Sequence, residues 1–267
     1  MSGILSGFTF NGLHCMRDFG LLYVPSEEGR VITPARRVNA YEIAGTSGTV
    51  RFPGETYGVS TLAGALYPME SPADDKAAQS LMRRVAPWLY GPRGQLIFDY
   101  EPDRYLVAEV VAESIWSEQS WLDGGLDFTF EIQPFAYAVA PVVHRHMMDQ
   151  SGGYIAMEVE TGLPAPLEAV ITNAGSSALT GVRIECGGAA WDFSGMELAA
   201  GATLTISGET PIGAEITESG VVTNALVYAD TFDQVALQGA QRVQVSLTFS
   251  GGSGSAAVEL RARGRWL

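Results

Sequence analysis

Alternation of apolar and polar residues at every second position is the feature that most limits how this chain can fold. In LDFTFEIQ, residues 126–133, four apolar residues alternate with four polar ones. Successive side chains of a β-strand point to opposite faces, so this pattern predicts a strand with one buried face. The segment VELRARGRWL at 258–267 alternates in the same way and predicts a half-buried strand that includes Trp266. The chain is therefore expected to be mainly β.

A second β-rich run lies just before the first of these strands. It extends over 105–116, and Gly124-Gly125 separates it from the strand at 126–133. The two runs are expected to form an antiparallel hairpin with a long loop. Because proline cannot donate a hydrogen bond to a neighbouring strand, Pro134 is expected to end the second strand.

One segment, at about 72–90, does not show the alternation of apolar and polar residues. Its apolar residues recur at spacings of three and four, which is typical of one face of an α-helix. They are Ala78, Leu81, Met82, Val85, Trp88 and Leu89. Ser71 is the expected N-cap, with Pro72 at the first helical position, and Gly91 is a suitable stop. The sequence therefore predicts one amphipathic helix, about four turns long, packed on a sheet.

The alternation lapses between Ala136 and Gly153, and a domain boundary is expected there. This divides the chain into domains at 1–140 and 141–267. In the second domain, short strands separated by Gly and Asn are expected at 155–159, 167–171, 182–186, 204–206, 242–249 and the C-terminus. Many short strands with such turns indicate a β-sandwich.

The charge balance argues against a nucleic-acid reader. The 267 residues include 30 acidic and 16 basic side chains, a net charge of −14. Such a chain lacks the basic face that phosphate binding needs, but an acidic surface suits a protein that DNA must pass without sticking. The distant Cys15 and Cys186 are expected to be buried thiols of a protein made in a reducing cytoplasm. Neither a signal peptide nor a membrane span is expected.

Few residues suggest chemistry, and no metal or cofactor is expected. His144 and His146 would share one face of a strand and, with Asp149, could bind a metal. The competing interpretation is a polar linker between domains. His14 and Cys15 could suggest a nucleophile pair, but neighbours on a strand point apart. A core thiol beside a surface histidine is expected instead.

Two other functions depend on residues that the sequence cannot place. Carboxylates at 70–75 and 101–103 could serve a hydrolase only if two of them faced each other across a cleft. Most acids of such a chain are expected to be solvated surface groups, so the protein is not expected to be an enzyme. Trp191 and Tyr228 could form a sugar-binding platform, since aromatic rings present a broad apolar face. Packing of Trp191 in a sandwich core is the competing interpretation.

Several sequence segments resemble those of the distal tail (Dit) proteins of long-tailed, siphovirus-type bacteriophages. In chain order they are FTFNG at 8–12, the Asp18-Phe19-Gly20 turn, Trp88-Leu89 before Gly91, LIFDYEPDRYLVAEV at 96–110, IQPFAYA at 132–138, LAAGATLTI at 198–206, LQGAQRVQVSLTFSGG at 237–252 and the terminal VELRARGRWL. The likeness extends over nearly the whole chain. It implies an N-terminal β-sandwich with one flanking helix, followed by a galectin-like β-sandwich in which Trp266 belongs to a closing strand.

The resemblance also implies a structural role in the virion. Dit proteins form a homohexameric ring, the baseplate hub, at the bottom of the tail tube. One face would join the tail tube protein and the other the tail tip protein, with receptor-binding proteins attached outside. The N-terminal domains would line the lumen through which DNA passes, and the ring would be assembled in the host cytoplasm. No galectin sugar-contact signature is present, so a lectin role is not implied.

The stretch 25–56 is a candidate arm that reaches a neighbouring copy in such a ring. Its arginines, Arg30, Arg36, Arg37 and Arg51, would then pair with acidic neighbours. The alternative is an ordinary solvated loop, although long ordered loops tend to be functional. A carbohydrate-binding protein that acts through the second domain and a tail-tube-like ring protein are the competing functions.

Overall fold

The computed structural model describes residues 7–26, 34–37, 40–42, 47, 49–51, 56–116, 125–209 and 212–267, with backbone alone at 40–42, 49–51 and 116. The chain divides into two compact units, Met1–Val139 and Ala140–Trp266. Paired strands run antiparallel in both, and the predicted mainly β fold class is confirmed. No helix within the described ranges is long and apolar enough to cross a membrane.

The first unit is a sheet with a helix packed on one face. Its elements are β1 (Phe8–Phe10), β2 (Leu13–His14), α1 (Cys15–Phe19), β3 (Leu21–Pro25), β4 (Arg36–Arg37), β5 (Ala40–Glu42), β6 (Thr49–Arg51), β7 (Thr56–Tyr57), β8 (Ser60–Pro68), α2 (Asp75–Leu89), β9 (Gly94–Phe98), β10 (Arg104–Val110), β11 (Ile115–Trp116) and β12 (Leu126–Ala138). The main sheet has the order β2-β1-β9-β10-β12-β8-β3, and β11 pairs with β12. Two ribbons, β4 with β7 and β5 with β6, stand apart from it.

Aromatic side chains fill the space between the main sheet and α2. Phe128 and Phe130 of β12 lie in this core, as the alternation predicted. Trp88 of α2 stacks on Phe8 of β1, with ring centroids 5.7 Å apart. The indole N–H of Trp88 donates to the carbonyl oxygen of Phe10 at 2.9 Å. The helix is therefore held to the sheet by apolar burial and by a directed hydrogen bond.

Helix α2 confirms the predicted helix, but it begins later than expected. Asp74 is the N-cap, in place of Ser71, because its carboxylate accepts a hydrogen bond from the amide of Ala77 at 2.7 Å. A carboxylate here satisfies an otherwise unpaired amide and lies at the positive end of the helix dipole. The first helical residue is thus Asp75, and the helix ends at Leu89, near the predicted stop.

Strand β12 continues through Pro134, so the expectation that this proline ends the strand is wrong. The ladder between β10 and β12 shifts register at this point: Ala108 pairs with Ile132, but Leu106 pairs with Ala136. The extra residues of β12 form a bulge, where a proline costs no ladder hydrogen bond. The predicted hairpin of these two strands is confirmed.

A short helix, α1, was not predicted. The imidazole Nδ1 of His14 accepts hydrogen bonds from the amides of Met16 and Arg17, at 3.1 and 3.2 Å, and so caps its start. Gly20 ends it in the left-handed conformation, with φ of 68°. A helix of five residues is too short to show helical periodicity in the sequence.

The second unit is a β-sandwich. Its elements are β13 (Val142–Asp149), β14 (Gly153–Val159), β15 (Ala165–Asn173), β16 (Leu179–Cys186), β17 (Ala189–Leu198), β18 (Thr203–Ser207), β19 (Gly213–Glu218), β20 (Val221–Asn224), β21 (Ala229–Phe232), β22 (Ala236–Leu237), β23 (Gly239–Phe249), β24 (Ser255–Ala262) and β25 (Arg265–Trp266), with 3₁₀ turns at Leu226–Tyr228 and Ser250–Gly252. One sheet has the order β13-β24-β15-β18-β19-β20, with β22 also on β15, and the other β14-β23-β16-β17-β21. A single core takes side chains from both sheets. Each predicted strand of this unit lies in one of them, except that the predicted terminal strand ends at Ala262: the strand breaks at Arg263 and Gly264, and Trp266 lies in the separate short strand β25.

The end of the second unit is built into the structure by backbone hydrogen bonds. The face of β24 that was predicted to be buried is buried along its length. The carbonyl of Arg265 accepts hydrogen bonds from the amides of Gly162 and Leu163, each at 3.1 Å. The half-buried Trp266 ring lies against Gly162, where a Cβ atom would come within 2.8 Å of it. Only glycine leaves room for the ring at this position.

Candidate assembly site

The sequence motifs near the N-terminus and at the end of α2 contact one another around the ring of Trp88. Phe19 stacks on Trp88 with centroids 4.5 Å apart and an interplanar angle of 21°. The guanidinium of Arg84 lies 5.7 Å from the centre of the Phe19 ring and donates to the carbonyl of Asp18 at 2.8 Å. These contacts join α1 to α2, and Trp88 in turn stacks on Phe8 of the main sheet. The motif residues therefore stabilise the first unit.

His14 and Cys15 do not form a nucleophile pair. The Cys15 thiol is buried and accepts a hydrogen bond from the Phe8 amide at 3.3 Å. Burial raises the pKa of the Cys15 thiol, whereas a nucleophile needs a lowered one. Both imidazole nitrogens of His14 are engaged, Nδ1 in capping α1 and Nε2 at 2.9 Å from a carboxylate oxygen of Asp99. The core thiol is confirmed, but His14 is a half-buried cap, so the expected surface histidine is wrong.

His144 and His146 lie on strand β13, so the interpretation as a linker is wrong. Pairing with β24 along the whole of β13 makes this segment an edge strand. The two imidazole rings stack with centroids 6.4 Å apart, as residues on one face should. Asp149 falls on the opposite face and accepts a hydrogen bond from the Ser151 amide at 2.9 Å. No three His, Cys, Asp or Glu side chains in the described part of the chain are grouped to hold a metal ion.

The proposed sugar platform of Trp191 and Tyr228 is contradicted by the position of Trp191. Its ring is fully buried, stacks on Phe232 at 6.0 Å and donates its indole N–H to the carbonyl of Asp233 at 2.8 Å. Tyr228 is 39% exposed in a 3₁₀ turn. Packing of Trp191 in the core is confirmed, and this ring presents no face to a sugar.

Two of the four candidate arm arginines lie on an exposed ribbon of the first unit. Arg36 and Arg37 form β4, which pairs with β7, and both are exposed. Tyr57 of β7 lies edge-on to Phe135, with centroids 5.7 Å apart, so the ribbon is anchored to the main sheet. Arg30 lies outside the described residues, and for Arg51 the structure describes only the backbone, in β6.

Sequence reasoning missed an exposed apolar strand in the second unit. Val221 and Val222 of β20 are 62% and 57% exposed. Ser219 and Gly220, with φ of 49° and 82°, make a two-residue turn before them. A Ser-Gly pair between two β-rich runs is a hairpin signal and could have been noticed. Exposure of the valines could not, because adjacent β-branched residues are typical of buried strands.

Comparison with known proteins bears on the whole chain. No family model matches the sequence, and no curated protein matches it. The crystal structure of the SPP1 Dit (gp 19.1) protein, described as a paradigm of the hub adsorption apparatus in phages that infect Gram-positive bacteria, matches with a TM-score of 0.63 and 12% identity. The match covers 98% of this chain and 99% of the SPP1 chain.

The chain has the fold of a Dit protein. The match includes both units, so the fold implied by the sequence resemblance is confirmed. A chain in the structure of the phage p2 baseplate in its activated conformation with Sr is also similar, with a TM-score of 0.48, 10% identity and 97% coverage of each chain. Within the Dit fold, the stacked rings around Trp88 are the contacts that join the first strand to the helix.

Proposed function

We propose that this chain is a non-enzymatic structural subunit of a phage tail. Six copies form a ring that joins the tail tube protein to the tail tip protein and carries receptor-binding proteins. The observation that supports this is the match to SPP1 Dit, a hub protein, over 98% of this chain and 99% of that one. Because the structural match includes both units, we infer that the two proteins share a role in tail assembly as well as a fold.

The polar residues that could have served catalysis form structural contacts, which supports a role without catalysis. His14 caps a helix, Cys15 is a core thiol and Asp74 caps α2. Glu101 of the 101–103 acidic segment pairs with Arg104 at 2.9 Å. Each of these groups is held by a structural contact, whereas a catalytic acid or nucleophile must be available to substrate.

The ribbon of Arg36 and Arg37 is the proposed contact with a neighbouring copy. A ring built from identical head-to-tail contacts needs two different complementary patches on each chain. Exposed arginines provide one patch, and a chain with net charge −14 offers many acidic partners for it. Arg30 and Arg51 belong to the same proposed arm.

The proposed ring is part of the virion and is assembled in the host cytoplasm. Its first domain, 1–140, would form the ring and line the lumen, and its second domain, 141–267, would be the galectin-like one. An acidic subunit repels the DNA that passes through the lumen. The chain needs no cofactor for this role.

Negative-stain microscopy and native mass measurement of the purified protein test the proposal. We expect isolated rings with a mass six times the 28.5 kDa of one chain. The pair Arg36→Glu and Arg37→Glu should reduce the ring fraction strongly. Arg83→Glu is the matched control, because Arg83 is an exposed arginine on α2 and the change in charge per site is the same.

Three results would contradict the proposal. A monomer that persists at low salt and in the presence of the tail tube and tip proteins would exclude the ring. Stacked tubes in place of isolated rings would favour the tail-tube-like alternative. Equal loss of rings in the Arg83→Glu control would exclude a specific role for the ribbon.

A further inference from the structure

The outer edge of strand β20 is an open strand edge in the second unit. In the part of the chain that the structure describes, β20 ends its sheet and pairs only with β19. All four of its residues are exposed. An unpaired strand edge presents a row of backbone donors and acceptors to any strand that can lie beside it.

The opposite edge of the same sheet is protected in the usual way. That edge is β13, and it carries His144, Arg145, His146 and Asp149. Charged and polar side chains on an edge strand discourage pairing with other chains. Strand β20, with the sequence VVTN, has no charged residue. One edge strand of this sheet therefore carries charged side chains that discourage pairing with another chain, and the other edge strand does not.

The hairpin geometry directs backbone groups of β20 outward. Positive φ angles at Ser219 and Gly220 indicate a type I′ turn, and Glu218 pairs with Val221 across it. In such a hairpin the residues next to the turn exchange hydrogen bonds, so the amide and carbonyl of Val222 face away from β19. An added strand could pair with these groups.

Apolar side chains continue beyond the strand into the adjacent 3₁₀ turn. Val222 is 57% exposed, and Val227 in the turn is 74% exposed. Leu226 and Tyr228 on either side of Val227 are 37% and 39% exposed. Burial of this group of side chains by a partner would remove apolar surface from water, which favours binding.

The charges beside this edge are acidic and unpaired. Glu215 and Glu218 of β19 are exposed, and no described residue forms an ion pair with either. Glu215 lies opposite Asn224, and Glu218 opposite Val221. A strand added to β20 would lie two strand spacings, about 10 Å, from the backbone of β19. Charges interact over about this distance at physiological salt, so the two carboxylates favour lysine or arginine on that strand.

We propose that β20 binds an extended segment of another protein, one that carries both basic and apolar side chains and adds to the sheet as a new strand. Main-chain hydrogen bonds would supply affinity, and the valines and glutamates would select the sequence. A second copy of this chain fits poorly, because each copy carries a net charge of −14 and would bring the same glutamates to the contact. The inference does not depend on the ring proposed above.

Two short peptides test the proposal with the full chain. They are acetylated, amidated KVKVKV and EVEVEV, which have the same length and alternation but opposite charge. We expect KVKVKV to shift the backbone amide resonances of Val221–Asn224, and to bind at least about tenfold more tightly than EVEVEV. Fluorescence anisotropy of the labelled peptides gives the two dissociation constants.

Val222→Lys and Met147→Lys are the matched variants. Both side chains are exposed on an edge strand of the same sheet, at 57% and 65%. Val222→Lys should weaken KVKVKV binding by about tenfold or more, because it adds a like charge and removes an apolar contact. Met147→Lys should leave binding unchanged. Circular dichroism of both variants checks that the fold is kept.

Several outcomes would overturn the proposal. Resonance shifts elsewhere than at β20, equal affinity for the two peptides, or binding that is insensitive to Val222→Lys would exclude this edge as the site. Self-association that Val222→Lys abolishes, measured by sedimentation without peptide, would identify a second copy as the occupant and refute the choice of a basic partner.

Discussion

The core of the first unit is rich in aromatic rings that contact one another, whereas that of the second is mostly aliphatic. In the first, the ring of Phe8 lies within 6.1 Å, centroid to centroid, of each of its ring partners. These are Tyr23, Trp88, Phe98, Phe128 and Phe130. In the second, the core includes Trp191, Phe193 and Phe249 but consists mostly of Leu, Ile, Val, Met and Ala. The two units achieve burial in different ways.

The difference follows from what covers each sheet. A helix is a curved surface that meets the sheet along a narrow stripe, so large rings such as Trp88 and Phe19 are needed to fill the space beside it. Two sheets about 10 Å apart interdigitate small branched side chains along their whole faces. We therefore expect the first core to depend on single residues, and the second to tolerate small changes.

The largest effect is expected for Phe8→Ala. The ring is fully buried and contacts rings from α2 and several strands, so its loss removes burial and leaves a cavity. We expect a loss of about 3–5 kcal/mol of unfolding free energy. Hydrogen exchange of amides in β9 and β12 measures it. Ile184→Val, at an equally buried position of the second unit, should cost only about 0.5–1.5 kcal/mol. Similar losses in both variants would refute the contrast.

The next effect is expected at Asn173, a 1% exposed polar residue in the second unit. Its Nδ2 donates to the carbonyls of Ser177 and Leu198, at 2.9 and 2.8 Å, and its Oδ1 accepts from the Gly175 amide at 3.1 Å. Asn173→Ala leaves these backbone groups unpaired and should cost about 2–3 kcal/mol. The loss of unfolding free energy is measured by chemical denaturation, and the local effect by hydrogen exchange of the amides in β15 and β17. A loss of unfolding free energy smaller than that of Ile184→Val would show that water makes the hydrogen bonds that the Asn173 side chain makes in the wild type.

A smaller effect is expected for Asp74→Ala, which tests the start of the helix that covers the first unit. Loss of the bond to the Ala77 amide should cost about 1 kcal/mol. Asp75→Ala removes the same charge without that bond and should cost only about 0.3 kcal/mol through the helix dipole. Thermal unfolding followed at the α2 amides compares the two variants. Equal losses would mean that charge alone, and no capping bond, stabilises the helix start.

The smallest effect is expected from acid titration of Glu259 in β24. Hydrogen bonds from Arg145, and then from Arg261, lower the pKa of this carboxyl below its ordinary value of 4.5. A depressed folded-state pKa contributes stability above that ordinary value, and the contribution is lost as the pH falls through the folded-state pKa. Wild type should therefore exceed Glu259→Gln in urea midpoint at pH 7, and the difference should vanish in strong acid. A difference that persists there would exclude the ion pairs as its cause.

Local patterns predicted the elements whose burial is one-sided. The alternation at 126–133 predicted β12, and the three-and-four spacing of apolar residues predicted α2, because each burial pattern is repeated over enough residues to be read. The Asn11-Gly12 pair similarly marks the turn between β1 and β2, where Gly12 has φ of 82°. In these places the residue types and the tertiary environment agree.

Prediction failed where a contact distant in sequence decided the outcome. The HRH segment contains polar residues typical of a linker, but it is an edge strand because β24 pairs with it. Pro134 is tolerated because β12 bulges against β10. Trp191, a candidate sugar platform, is buried because Phe232 stacks on it and the Asp233 carbonyl accepts its indole N–H. None of these partners is a neighbour in the sequence.

The amino-acid sequence by itself determined a mainly β chain with one long helix and an acidic character, because side-chain alternation, helical spacing and charge are local properties. Only the tertiary structure decided which surfaces can meet a partner. Val221 and Val222 look like core residues in the sequence, yet they lie on the open edge of a sheet. Exposure depends on which strand, if any, lies alongside, and that is set by the pairing order of the whole sheet.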